Sequence, residues 1–225
     1  MKKVLGILII TVFSTFNTNA EMISVGINAN VGMLDGDGKE TFNQTTNTKS
    51  QEMVMGYISG FAELHVPVNI GPGQFRVGAS YVPYSLESQT TASLQRSLNQ
   101  AQGGTGEANR TQKIQVDIEE LLSYYLSYHY NGFFIKAGVL EADLITNEKL
   151  DSGSVYPNAN LNGSFAGIGF DKNLDVLDGI FVRGEVSQTD FDSFKLTSTG
   201  SDNTNVVDIT GLSGTNVSIS VGKSF

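Results

Sequence analysis

The C-terminal segment Val217-Ser-Ile-Ser-Val-Gly-Lys-Ser-Phe225 decides the fold. Its apolar residues Val217, Ile219, Val221 and Phe225 alternate with small or polar residues, with Lys223 as the exception. Successive side chains of a β-strand point to opposite faces, so this segment predicts a strand with one apolar face and one polar face. Such a strand can separate hydrocarbon from a polar interior.

The first 20 residues predict a cleavable export signal. Two lysines precede a run of about ten apolar residues, and a polar stretch then ends at Ala20. The run is too short for a membrane-spanning helix, which needs roughly 20 residues. We therefore expect residues 1–20 to be removed and residues 21–225 to form the mature domain. A retained N-terminal anchor is the alternative.

The composition excludes several classes of protein. The chain has 23 acidic and 14 basic residues, and loss of the two signal lysines leaves 12 basic residues and a formal charge of −11. That charge disfavours a nucleic-acid partner. The absence of cysteine excludes a lipidated N-terminus, a disulfide framework and a thiolate metal site. After the signal, apolar residues are spread in alternation rather than gathered in long runs, as a barrel wall requires.

A period of two along the mature chain predicts eight strands. The fourth strand is the longest, and Leu121 and Tyr125 interrupt its alternation. A helix through Ile118, Leu121, Leu122 and Tyr125 is the competing interpretation. The strands are predicted at about residues 22–33, 53–68, 75–86, 112–130, 133–140, 163–171, 180–189 and from 206 to the C-terminus.

The connections between these strands alternate in length. The short ones are residues 69–74, 131–132 and 172–179, and the long ones are 34–52, 87–111, 141–162 and 190–205. Asn131-Gly132 is a strong signal for a type I′ hairpin turn, and Ala92 to Gln102 could form a short helix. Short turns on one side and long loops on the other are typical of outer-membrane barrels. The sequence predicts an all-β, antiparallel, up-and-down transmembrane β-barrel of eight strands, or ten if a long connection hides a hairpin.

With these features the chain resembles the small eight-stranded outer-membrane barrels of the OmpA and OmpX type. The resemblance rests on the export signal, the strand count, the loop asymmetry and the terminal Phe225. It implies a monomer in the cell outer membrane of a Gram-negative bacterium, reached through the periplasm and in contact with outer-membrane lipid and lipopolysaccharide. It also implies that the barrel-insertion machinery reads Val221 and Phe225. Barrels of this type usually have an apolar residue where this chain has Lys223, whose charge we expect to snorkel at the periplasmic interface.

Four charged residues are predicted to meet in the lumen. Counting from the periplasmic strand ends places Glu63, Lys136, Arg183 and Glu185 on inward faces at similar depth. The interior of an eight-stranded barrel is just wide enough for side chains to fill, and burying an unpaired charge costs about several kcal/mol. We expect a structural plug of ion pairs; a narrow gated conduit in which the pairs exchange partners is the alternative. Three further charged residues are expected to be solvated: Arg76, Asp117 and Glu119.

No catalytic, cofactor-binding or metal-binding residue is predicted. The two histidines, His65 and His129, fall near periplasmic strand ends, so neither is placed in an external loop as a general base. A Gly-x-Ser-x-Gly elbow is missing. The stretch Asp35-Gly-Asp-Gly-Lys-Glu40 lacks the spacing of a calcium-binding loop and indicates a solvated turn.

Three functions remain open from the sequence. The first is a non-enzymatic structural or surface protein whose barrel anchors polar extracellular loops. The second is a small porin-like channel for ions or small solutes. The third is a soluble, exported binding barrel of the lipocalin kind, which would require an internal cavity.

Overall fold

The computed structural model describes residues 22–42, 45–67, 71–87, 91–97, 108–149, 155–174, 176–199 and 206–225. Residues 1–20, for which the sequence predicts an export signal, lie outside the described residues. The strands are β1 (Ile23–Phe42), β2 (Thr45–Val66), β3 (Gln74–Tyr81), β4 (Leu86–Glu87), β5 (Thr91–Ser97), β6 (Ala108–Tyr130), β7 (Phe133–Lys149), β8 (Ala159–Asn173), β9 (Ile180–Phe191), β10 (Phe194–Thr197) and β11 (Val206–Ser224).

Eight of these strands form a closed ring. Its order is β1, β2, β3, β6, β7, β8, β9 and β11, and β11 pairs back onto β1. Neighbouring strands of the ring are antiparallel. The short strands continue the wall of the ring: β4 and β5 pair with β6 beyond β3, and β10 pairs with β11 beyond β9. The predicted eight-stranded, up-and-down barrel is confirmed, and the ten-stranded alternative is wrong for the ring formed by the described residues.

The outer face of the ring is apolar over a broad band. Ile27 on β1 lies opposite Val221 on β11, and both side chains are exposed. Ile219 is 69% exposed although it lies in the middle of its strand. Other exposed apolar side chains of this band include Val31, Ile58, Val77, Leu126, Ile135, Val139, Ile168, Val186 and Val217. A continuous outward apolar band is the surface that a barrel presents to hydrocarbon; we name it the apolar belt.

The two ends of the barrel differ in their connections. At one end, here named the turn end, lie the short turns and the C-terminus of β11. Its Asn131-Gly132 turn has φ values of 51° and 80°, the positive values that a type I′ hairpin turn requires. The opposite end, named the hairpin end, carries the long connections. Among the residues that the structure describes, no helix has the length and hydrophobicity needed to cross a bilayer.

The long connections are mostly strand rather than loop. The prediction of a loop over residues 34–52 was wrong, because β1 and β2 continue as a ladder as far as the pair Phe42 and Thr45. Both faces of this extension carry polar residues, so the hydropathy alternation disappears while the backbone still pairs. Threonine, abundant here, suits strands. The other long connections also contain strand: β5 and the start of β6, the end of β7 with the start of β8, and β10.

Neither predicted helix is formed in the described residues. Of the segment Ala92 to Gln102, residues 92–97 belong to β5 and residues 98–102 lie outside the description. The competing helix through Ile118 and Tyr125 is instead strand β6, with a bulge between Glu119 and Leu122. The extra residue, Glu120 with φ 52°, reverses the inward-outward alternation. That reversal explains why the sequence shows a helix-like spacing of apolar residues at this point.

The interior toward the hairpin end is apolar. Buried side chains from five segments of the wall contact one another there, and only the interior allows residues from so many parts of the ring to meet. They are Val82, Leu86, Ile118, Ala142, Leu144 and Leu161, with Leu34, Met53, Met55 and Leu121 packed against them. This set is named the apolar layer. It fills the barrel above the polar half of the lumen.

The apolar belt gives a first prediction. Ile219→Arg places a charge at the middle of the belt. It should lower the free energy of unfolding from phospholipid vesicles by about 2–4 kcal/mol. Thr210→Arg, on the same strand beyond the belt, should change it by less than about 0.5 kcal/mol. Urea titration of vesicle-inserted protein measures both values. A soluble barrel would tolerate the exposed Ile219→Arg as readily as Thr210→Arg.

Candidate functional site in the barrel interior

The interior of the turn half is organised by a bidentate ion pair. Arg183 on β9 donates from Nη1 to Glu63 Oε1 at 2.7 Å and from Nη2 to Glu63 Oε2 at 2.9 Å. Glu63 lies on β2, three strands away around the ring, so the pair crosses the lumen. Glu63 is 1% exposed. Two parallel charge-assisted bonds fix the geometry of both side chains.

Aromatic rings enclose the guanidinium of Arg183. Its central carbon lies 5.2 Å from the ring centroid of Phe61, 5.1 Å from that of Phe134 and 5.2 Å from that of Phe181. Aromatic faces attract cations, and the attraction grows when water is excluded. The three phenylalanines therefore stabilise the buried cation and keep water from competing for Glu63.

The second predicted pair lies next to the first. Lys136 Nζ on β7 donates to Glu185 Oε2 on β9, and it also lies 4.6 Å from the ring centroid of Tyr125. The hydroxyl of Tyr125 donates to Glu63 Oε1 at 3.1 Å. The structure thus places the four residues singled out in the sequence in two ion pairs, with Tyr125 between the pairs.

Besides Tyr125, three members of this network were not among the predicted lumen residues: Arg76, His129 and Asp171. Arg76 Nη1 lies 3.5 Å from Glu63 Oε2 and 3.4 Å from Asp171 Oδ2, so the expectation of a solvated Arg76 was wrong. His129 Nδ1 lies 2.9 Å from Asp171 Oδ2. Strand parity already placed all three side chains inward. The environment of Arg76 was misjudged, because the sequence does not show how far the charged side chains reach across the lumen.

These residues together form what we name the ionic cluster: Glu63, Arg76, Tyr125, His129, Lys136, Asp171, Arg183 and Glu185. Its three acids match its two arginines and one lysine. A matched set meets the requirement that buried charges be paired, although the buried Nε of Arg183 has no hydrogen-bond partner in the described chain. The arrangement fills the turn half of the lumen with polar contacts that hold several strands at fixed spacing.

Outside the cluster, Asp117 differs from its prediction. The sequence suggested a solvated carboxylate, but the residue is buried. It accepts hydrogen bonds from the side-chain amides of Gln115 and Asn147. The prediction was wrong because β6 and β7 stay paired beyond the belt, and their neighbouring side chains cover the carboxylate. Glu119 is exposed, as expected.

One chain of contacts in the lumen, from serine to histidine to aspartate, resembles a hydrolase triad. Ser127 Oγ lies 2.9 Å from His129 Nε2, and His129 Nδ1 contacts Asp171 at the distance given above. In serine hydrolases the same sequence of contacts activates the hydroxyl for attack. Here Ser127 is 2% exposed and its side chain lies in the filled lumen. The chain places the chemical groups together but shields the hydroxyl. No cluster of three or more potential metal ligands is found in the described part of the chain.

A small polar cavity lies between the ionic cluster and the apolar layer. Its volume is about 90 Å³, and its lining includes Lys136 and Glu185 below and Val82 and Leu121 above. Neutral polar side chains line its middle and bond to one another: Tyr57 donates to Asn216, Asn216 to Asn30, and Asn30 to Ser59. A cavity with such a lining suits a few ordered water molecules.

No protein-family model and no curated protein matches the chain. Among solved structures it is similar to the outer membrane protease OmpT from Escherichia coli, with 12% identity over 94% of this chain and 99% of that one and a TM-score of 0.44. It is also similar to Neisserial surface protein A, with 8% identity, coverage of 88% and 97%, and a TM-score of 0.30. A third structure is Ail of Yersinia pestis, with 6% identity, coverage of 89% and 99%, and a TM-score of 0.31.

The structure defines the class of the protein. A closed antiparallel ring of eight strands, an apolar belt outside and a filled interior are the features of a small outer-membrane β-barrel. The identities to the solved structures are too low to carry over the role of any residue, so the function is argued from this chain's own geometry.

The ion pair across the lumen gives a second prediction. Glu63→Ala leaves Arg183 buried without its carboxylate and should lower the free energy of unfolding by about 3–5 kcal/mol. Removing both charges in Glu63→Leu with Arg183→Leu should restore most of that loss. Asp208→Ala is the matched control: it breaks the pair with Lys195, whose side chain is 68% exposed, and should cost less than about 1 kcal/mol. Equal losses from Glu63→Ala and Asp208→Ala in a urea titration would contradict a structural role for the cluster.

Proposed function

We propose that this chain is a non-enzymatic, non-conducting outer-membrane barrel that carries folded β-structure outside the cell for structural or surface contacts. The turn end then faces the periplasm and the hairpin end faces outward. The observation that supports it best is the filled interior. Two different layers follow each other along the barrel axis, the ionic cluster and the apolar layer, and each would have to open for a solute to pass.

The apolar layer argues against conduction more strongly than the ion pairs do. Charged side chains can exchange partners and let an ion through, whereas an apolar constriction excludes water and with it the hydration shell of the ion. The layer is made from buried side chains of several strands. A narrow porin-like channel is the second candidate, and the polar cavity next to Lys136 and Glu185 is the observation that favours it.

The shielded Ser127 supports a non-enzymatic role. A nucleophile must reach the substrate carbonyl, and proximity of the reacting atoms is the largest requirement of such catalysis. Ser127 is held in the lumen and is 2% exposed. Ester hydrolysis by the purified barrel that disappears in Ser127→Ala would contradict this part of the proposal.

The contacts outside the cell would be made by the paired extensions of the strands. The ladder of β1 with β2 and with β11 continues well beyond Met33, the last exposed apolar residue among the β1 side chains that the structure describes. Charged residues follow at once: Asp35 lies opposite Glu52. In the proposed orientation these residues adjoin lipopolysaccharide, and outer-membrane lipid covers the belt of a monomeric barrel.

The C-terminal strand suits recognition by the barrel-insertion machinery. Val221 and Phe225 both point outward at the turn end and are exposed. The Lys223 ammonium lies 5.1 Å from the ring centroid of Phe225, which lets the apolar stem of the lysine lie along the ring. The lysine two positions before the terminal aromatic is therefore compatible with an apolar outward surface on this strand.

The filled interior predicts an absence of steady current. Purified protein in a planar bilayer should give no sustained unitary conductance at moderate voltage, and Glu185→Gln should not create one while the apolar layer is intact. The measurement is single-channel recording, with a known open porin as the positive control. Steady currents that change in Glu185→Gln would favour the channel and contradict the proposed function.

The proposed orientation can be tested with single cysteines, because the chain contains none. Lys195→Cys, at the hairpin end, should react with a membrane-impermeant maleimide on intact cells. The matched variant Lys172→Cys, exposed at the turn end, should react only after the outer membrane is permeabilised. Labelling of Lys172→Cys on intact cells, with Lys195→Cys protected, would contradict the orientation.

A further inference from the structure

The wall of the barrel is incomplete beside β2. Strand β2 pairs with β1 along its whole length, but its pairing with β3 covers only Gly60 to Val66. Beyond Gly60, no strand of the described residues pairs with this side of β2. The chain that leaves β3 stays on the other side of the gap, where Val82 N donates to Leu121 O and Leu86 pairs with Ile118. We name this gap the side opening.

The side opening lies within the apolar belt. The outward residues of β2 beside it are Ile58 and Val54, both exposed apolar side chains, with Gly56 between them. The first charged outward residue of β2, Glu52, comes only above them. The opening therefore lies at the edge of the hydrocarbon nearest the hairpin end, where the exposed Glu119 and Glu120 lie on its β6 side; this edge belongs to the outer leaflet in the proposed orientation.

Polar groups at the opening are left without strand partners. Ile58 N donates to the hydroxyl of Tyr84, so a side chain stands where a ladder bond would be. Backbone groups of a strand point to alternate sides, which directs the amides of Gly56 and Val54 into the same gap. The neighbouring Pro83 has no amide to offer. In the described chain the Ser85 hydroxyl is buried and has no hydrogen-bond partner.

Such groups in hydrocarbon need another source of hydrogen bonds. Unpaired backbone at membrane depth is tolerated where it is buried in protein or lines a cavity. The polar cavity meets this condition, because Tyr57, Ser59, Ser80 and Val82, which flank the point where β2 and β3 separate, all line it. The gap in pairing thus lies next to the cavity, and side chains such as Val82, which is 2% exposed, separate it from the belt.

The inner side of the opening is adaptable and apolar. Met53 and Met55 of β2 point inward there and pack against the apolar layer. Methionine is unbranched and fills irregular spaces easily, so it can move for a guest molecule. Val82 and Leu86 lie on the other side. A guest would meet apolar side chains together with a few hydrogen-bond donors.

We propose that the side opening binds an outer-leaflet lipid, with the first carbons of one acyl chain, next to its ester, inserted between Met55 and Val82. The amides of Gly56 and Val54, for which no described strand supplies an acceptor, and the hydroxyl of Ser85 donate to the ester oxygens of that lipid. The position of the opening favours a lipid as the occupant. The opening borders the lipid-facing belt, and its polar groups lie just below Glu52, the charged residue of β2 that marks the headgroup level. This binding site goes beyond the proposed function and rests on it only for the membrane placement.

Photolabelling tests the proposal directly. The barrel is reconstituted in bilayers with a phospholipid that carries a diazirine close to the ester of one acyl chain, irradiated, and mapped by mass spectrometry. We expect adducts on the inward residues Met55, Tyr57 or Val82 in addition to outward residues at the same depth, such as Val31 opposite Gly56. Adducts confined to outward residues would overturn the proposal and leave the membrane placement intact. Adducts missing from the belt itself would contradict the proposed function instead.

A cross-linked variant closes the opening. Ile58→Cys with Tyr84→Cys, bridged by a short bis-maleimide, should reduce inward labelling to background while outward labelling is unchanged. Ala137→Cys with Ala166→Cys, a directly paired outward position on β7 and β8, is the matched control and should keep the inward adducts. Both variants must show heat-modifiable gel mobility as a test of folding. Inward labelling that persists after bridging the opening would overturn this route of entry, and the map of the unmodified chain decides binding even if a variant does not fold.

Discussion

The pairing of β1 with β11 is the constraint on which the rest of the structure depends. Once the ring closes, the strands inside the apolar belt have a neighbour on each side except at the side opening, and elsewhere the backbone needs no water in the hydrocarbon region. Closure also fixes which side chains share the interior. Eight strands enclose a space that side chains just fill, so the inward residues of opposite strands must be compatible in size and charge. The ionic cluster and the apolar layer are two solutions to that same requirement.

The two layers stabilise the barrel in different ways. In the turn half, charges are buried, and burial is tolerated because each acid meets a base and because phenylalanine rings surround Arg183. In the hairpin half, apolar side chains pack as in a soluble protein, and the strands around them extend beyond the belt. A core of this kind keeps the extensions in strand form although both of their outer surfaces are polar. The same packing explains why the part of the protein outside the membrane is built from a continuous ladder.

The side opening shows what happens where closure is incomplete. Strand β3 is only eight residues long, and its neighbour β2 continues without it, so backbone donors remain at a depth where water is scarce. The polar cavity lies directly behind the gap. A filled interior with a break toward the belt differs from an axial pore, since a guest would arrive from the lipid rather than from the periplasm or the medium. Structural anchoring and lipid binding are thus compatible roles for one barrel.

The sequence by itself determined the faces of the strands. A period of two indicates which side chains point to lipid and which point inward. The Asn131-Gly132 turn and the terminal strand set the direction of the chain. From these features follow the eight strands, the belt and the inward position of Glu63, Lys136, Arg183 and Glu185. Only the tertiary structure decided what lies at the same height across the lumen. Contact across a ring depends on the stagger of all the strands between two residues, so the roles of Arg76, Asp171 and Tyr125 could not be read from spacing. It also decided the strand extensions, because paired strands with water on both faces lose the apolar signal that a sequence pattern needs.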